Sequence, residues 1–132
     1  MGADQVAAIR PAVAELEAAE ASAAPGARAE YFARFSLAGH DCPWVELYLQ
    51  QGDAVLNCWY SFEAEPLDYL RQLGIPIPPG TRVLEVGRPS CLLAFDRPPS
   101  RAVAKFVDQL FLQMYACGDD YDVAVELCRF AV

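Results

Sequence analysis

The sequence predicts an α+β fold: an antiparallel sheet of about five to six strands, with helices packed mainly on one face, in the order α-β-β-β-α-β-β-α-β. Three observations predict it. Residues 100–118 form one strongly amphipathic helix, several other segments alternate apolar and polar residues at strand period, and the connections are short turns that suit antiparallel neighbours. With 132 residues, 55% of them hydrophobic and 21% charged, the chain has the size and composition of one globular domain. Residues 1–30 are expected to be an N-terminal helix and linker, and residues 31–132 the α+β core.

Each element has its own signal. Up to about residue 24 the chain is rich in Ala and Glu, and Val6, Ile9, Val13 and Leu16 keep a helical period. Pro11 must kink this helix or open its second half. The stretch ASAAPGARA reads as a linker. Residues 31–38 alternate, with Tyr31, Ala33, Phe35 and Leu37 on one face and Arg34 and Ser36 on the other, and GHDCP makes a turn. Residues 44–51 and 54–62 flank Gly52 and Asp53, a two-residue hairpin turn. If Gln51 then faces Ala54, Leu49 lies opposite Leu56, Leu47 opposite Cys58 and Val45 opposite Tyr60, giving one apolar face. The reverse face sets Trp44 against Ser61, Glu46 against Trp59 and Tyr48 against Asn57.

Glu65-Pro66 opens a short helix with a Leu67, Leu70, Leu73 stripe, and Gly74 ends it. IPIPPG is extended and cannot pair on both sides. Residues 82–88 and 91–96 form a second hairpin around Pro89. In the helix at 100–118, Val103, Phe106, Val107, Leu110, Phe111 and Met114 share a face, with Ser100 as cap and Gly118 as stop. Burying those six contributes roughly 10–15 kcal/mol gross, before entropy. Residues 121–130 alternate again, with Val123, Val125 and Leu127 on one face, and make a last strand.

Charge narrows the function classes. A formal net charge of −8 argues against nucleic acid or an anionic membrane as the main partner, since no Lys/Arg run offsets it. No run is apolar and long enough for a membrane span, and the acidic, Pro-interrupted N-terminus is unlike a signal peptide, so a cytoplasmic location is expected. Cys42, Cys58, Cys91, Cys117 and Cys128 are odd in number and contain no Cys-x-x-Cys pair; they read as buried free thiols.

Catalytic and metal-binding patterns are absent from the sequence. His40, the single histidine, lies beside Asp41 and Cys42 in a turn, where neighbours two apart seldom hold nucleophile geometry. It reads as a solvated turn histidine. The acidic stretch 118–122 lacks the alternating ligands, central Gly and closing Glu of a calcium loop. No phosphate-binding glycine loop or nucleophile elbow occurs. The expectation is a non-enzyme with no catalytic residues, metal or cofactor.

The informative residues are aromatics on the side of the hairpin away from the helix: Trp44, Tyr48 and Trp59. Leu112, opposite the helix's own stripe among Lys105, Asp108 and Gln109, joins them as a candidate partner-binding residue. Trp and Tyr are preferred interface anchors; cover by the N-terminal helix or a wrapping loop is the alternative.

The element order, the short helix ending in Leu70-Arg71-Gln72-Leu73-Gly74 with prolines after it, and the long amphipathic helix resemble the type III secretion chaperone-like superfamily, nearest the bacterial YbjN and actinobacterial chaperone-like domains. The chain differs in carrying Ile75 after the Leu-x-x-Leu-Gly step and a strand-like C-terminal segment. The resemblance implies a non-catalytic, often dimeric protein that binds another polypeptide through exposed apolar patches. The expected function is therefore a chaperone-like protein-interaction module, its partner another polypeptide or a second copy of the chain. Two alternatives stand beside it. One is a small-molecule-binding domain or minor enzyme with a pocket between sheet and helix, using Asn57, Glu85 and His40; the other is an antitoxin or immunity-type inhibitor.

Overall fold

A computed structural model describes residues 2–24, 28–40, 42–50, 52–87, 89–118 and 121–130. Their order is α1 (Gly2–Ala21), β1 (Tyr31–Leu37), β2 (Trp44–Gln50), β3 (Asp53–Trp59), α2 (Pro66–Gln72), β4 (Arg82–Gly87), β5 (Ser90–Asp96), α3 (Ser100–Gln109) with a π-helical turn (Leu110–Met114), and β6 (Val123–Arg129). All strand pairs are antiparallel and form one six-stranded sheet, ordered β4-β5-β3-β2-β1-β6. The fold class and element order are those the sequence predicts.

Strand alternation builds the core. Ala33 and Phe35, Val45, Leu47 and Leu49, Leu56 and Cys58, and Cys91, Leu93 and Phe95 are all buried and point to one side. All three helices add to the same core: α1 through Ile9, Val13 and Leu16, α2 through Leu70, and α3 with its π turn through Val103, Phe106, Val107, Leu110, Phe111 and Met114. Phe106 meets Phe95 edge-on at 5.5 Å, tying α3 to the sheet. The alternate residues form a second face that carries no helix among the described residues.

Several local readings are corrected. The α1 helix runs through Pro11 without a break and ends at Ala21. In the first hairpin Gln50 pairs with Asp53, so Asp53 belongs to β3 rather than to the turn. Val45 then faces Cys58, and Leu47 faces Leu56. Gly52 takes φ +84°, the left-handed conformation a tight hairpin turn needs and glycine supplies. Asp53 is drawn into the strand, where its carboxylate pairs with Arg82 at 2.8 Å. Because partners change by two residues, the facing of every side chain is preserved.

The α2 start is as read: Glu65 caps it, its Oε2 accepting the Asp68 N–H at 2.9 Å. At α3, Pro99 rather than Ser100 occupies the cap position, and Ser100 is the first helical residue. The helix closes early through its π turn, where the Tyr115 N–H bonds the Leu110 carbonyl at 2.9 Å. Residues 115–118 leave the helix, with Ala116 at φ 53° and Gly118 at φ 87°. Gln51, Asp41, Arg88, the Pro25-Gly26 part of the linker, and Asp119 and Asp120 of the acidic stretch lie outside the described residues. No described helix is long and apolar enough to cross a membrane.

Candidate functional site

The helix-free face follows from strand parity. With Val45, Leu47 and Leu49 committed to the core, β2 must turn Trp44, Glu46 and Tyr48 the other way. On β3 the same rule turns Val55, Asn57 and Trp59 to this face, Val55 buried there and the other two half-buried, and on β1 it turns Phe32, Arg34 and Ser36 to it, all half-buried. Trp44, Tyr48 and Trp59 are half-buried on this face. The N-terminal helix does not cover them, because α1 spends its apolar stripe in the core beside α3.

Three rows cross the face, roughly 13 Å from first to last at strand rise. In the first, one step beyond the Val45–Cys58 pair, Trp44 comes alongside Trp59. Trp59 lies at the margin, its ring centroid 6.2 Å from Phe62 and 6.0 Å from Tyr115. The Tyr115 hydroxyl donates to the Trp59 carbonyl at 2.6 Å. Burial, first, and the nearby Cys58 push the Tyr115 phenol well above its ordinary pKa, so it stays a neutral donor.

The middle row is polar. Arg34 stands between Glu46 on β2 and Glu126 on β6, and its Nη1 reaches the Glu46 carboxylate at 2.9 Å. The Arg34 guanidinium also sits 5.5 Å from the Trp44 ring centroid. Asn57 faces Glu46 on its other side.

The third row is aromatic. Register sets Tyr48 opposite Phe32, and the Phe130 ring lies 4.9 Å from Phe32 and 5.3 Å from Tyr48. Phe130 is 37% exposed. Phe32 and Phe130 were not among the residues singled out from sequence. The alternation of Ala33 and Phe35 already placed Phe32 on this face; Phe130 needed the pairing of β6 with β1, which joins residues 86 or more apart and leaves no local signal. At the two edges of the sheet Leu84 and Val86 on β4 and Val125 and Leu127 on β6 are exposed, although pairing with Cys91, Phe35 and Ala33 puts Val86, Val125 and Leu127 on the helix side rather than on this face.

Leu112 is elsewhere. It lies in the π turn on the helix side of the sheet, half-buried against the core. Its supposed polar neighbour Asp108 is 3% exposed and accepts a hydrogen bond from the Tyr121 hydroxyl at 2.8 Å. The three polar residues proposed for a pocket are not brought together. His40 is exposed in the turn after β1, Asn57 is on the helix-free face, and Glu85 is exposed on β4, separated from β1 by three strands.

Cys58 and Cys91 face each other across β3 and β5, both buried. Their mutual hydrogen bond, together with burial, pushes the Cys58 thiol well up, while the same bond draws Cys91 down. Cys42 is exposed. Among the described residues no three His, Cys, Asp or Glu side chains are grouped to hold a metal ion. Comparison with protein-family models, with curated proteins and with solved structures finds no match.

Proposed function

We propose that the chain is a non-catalytic protein-interaction module, chaperone-like in action, which binds a partner polypeptide through the helix-free sheet face. The observation that carries the reading is the group of Trp44, Tyr48 and Trp59, extended by Phe32 and Phe130, on a face that the chain's own helices leave uncovered. Large aromatics with a polar handle lose little side-chain entropy on binding and dominate interface energetics. The Arg34–Glu46 pair between the aromatic rows supplies a charged register mark that a partner must match. Exposed apolar residues on β4 and β6 support capture of an extended segment, a second copy of the chain included. The absence of unpaired basic runs in a chain of net charge −8 favours protein over nucleic acid or membrane. Five free cysteines favour the cytoplasm, where thiols stay reduced. This is the behaviour expected from the type III secretion chaperone-like resemblance.

The experiment is suppression of light scattering by reduced lysozyme, comparing the wild type with W44S/Y48S. The wild type is expected to suppress aggregation at stoichiometric amounts, and the variant to lose most of that effect with its thermal midpoint unchanged. A variant as effective as the wild type, or a wild type without effect, contradicts the proposal.

A further inference from the structure

On the other side of the molecule, an open groove of about 970 Å³ runs between α1, α3 and the proline-rich segment after α2. Its floor includes Ile77 and Phe106, and its charged lining is mainly cationic: Arg10, Arg101 and Lys105. Composition makes this notable, since the chain has ten Lys and Arg against eighteen Asp and Glu. Five of the other described arginines are engaged, and Arg28, in the linker, is exposed. Arg34, Arg71, Arg82 and Arg97 pair with carboxylates, and Arg129 lies over the Tyr31 ring. Among the described residues Arg10, Arg101 and Lys105 form no ion pair. Arg101 and Lys105 are four apart on α3 and therefore share a helix face, while Arg10 comes from α1. The one acidic lining residue, Asp108, is buried and accepts the Tyr121 hydroxyl, which leaves the three exposed cations to set the charge at the mouth.

We propose that this groove binds a small amphiphilic carboxylate, its apolar body on Ile77 and Phe106 and its charged end among Arg10, Arg101 and Lys105. The volume falls within the range of about 300–1,000 Å³ common to small-molecule sites. The walls favour a hydrocarbon over an extended peptide. Pro76, Pro78, Pro79 and Pro98 offer no N–H, and the amides of α1 and α3 are largely spent within their helices. A peptide backbone would leave polar groups unpaired there, whereas an alkyl or aryl body has none to satisfy.

The test is calorimetric titration of the full chain with decanoate, below its micelle-forming concentration, against decyltrimethylammonium of equal chain length. Decanoate is expected to bind saturably, one-to-one, and about tenfold or more tighter than the cation. R101E/K105E, at two exposed positions, is expected to keep the fold by circular dichroism, weaken decanoate about tenfold or more and reverse the preference. W44A/W59A is expected to leave decanoate affinity unchanged, which separates the groove from the sheet face. Equal affinity for both amphiphiles, indifference to R101E/K105E, or loss of binding in W44A/W59A would overturn the proposal. So would displacement of decanoate by an acidic amphipathic peptide at lower concentration, which would make the occupant a polypeptide.

Discussion

Tyr121 and Asp108 show how much a single buried contact organises this chain. The Tyr121 hydroxyl donates to Asp108 Oδ1 at 2.8 Å, its ring stacks on Phe111 at 5.2 Å, and its carbonyl accepts the Gln5 side chain at 2.6 Å. One residue thus joins α1, α3 and the segment entering β6. Burial, then the Asp108 bond, holds the Tyr121 phenol far above its usual pKa. Tyr121→Phe removes one charge-assisted hydrogen bond from the buried Asp108, and the expected cost is about 1–3 kcal/mol in urea unfolding. Tyr60 gives a pH signature at the alkaline end. Burial, followed by the nearby Cys91 and Glu65, raises its pKa to about 12. A raised tyrosine favours the protonated folded state, so the Tyr60 contribution is complete below pH 10 and is lost as pH rises from 10 toward 12. Its share of the alkaline loss is about 2–3 kcal/mol, and Tyr60→Phe is expected to make the decline in thermal unfolding shallower, with the buried Tyr115 and Tyr121 supplying the remainder. Glu20 acts at the acid end. Its hydrogen bond with Arg97 lowers its pKa, so its contribution is present above the ordinary carboxylate range and disappears as pH falls through the folded value. Glu20→Gln is expected to reduce the acid sensitivity of the melting temperature.

The elements were legible wherever a local rule decided them. Glu65-Pro66 and Gly74 bound α2 because cap and stop chemistry is read within a few residues. Face assignment of the β2–β3 hairpin was equally readable, since Val45, Leu47 and Leu49 alternate against Trp44, Glu46 and Tyr48. Its register was not. Placing Asp53 in the turn or in the strand gives the same facing, and the choice rests on the Gly52 conformation and on Asp53 pairing with Arg82, which is 29 residues away. Gly52→Ala, forced to φ +84°, is expected to cost about 1–2 kcal/mol. Gly52→Asn, which tolerates that conformation better, is expected to cost less by the same urea measurement. The π turn after α3 was also hidden. The spacing of Leu110, Phe111 and Met114 fits an α-helix as well, and only the bond from Tyr115 to Leu110 separates them.

At the scale of the whole molecule, the sequence located the uncovered face but only part of what stands on it. Trp44, Tyr48 and Trp59 followed from parity in one hairpin. Phe130 could not, because it reaches Tyr48 only when β6 pairs across β1. Leu112 was assigned by treating the helix surface as if solvent surrounded its far side, whereas the core wraps far enough around to half-bury Leu112 and bury Asp108. The helix-free face is proposed to carry a polypeptide partner. The most direct measurement places a photo-crosslinking amino acid at Tyr48, with a control at exposed Arg71 on α2, in the full chain expressed in its native host. A discrete polypeptide adduct, with a partner or a second copy, is expected from position 48 and none from position 71. No adduct from position 48, or the same adducts from both positions, would contradict it.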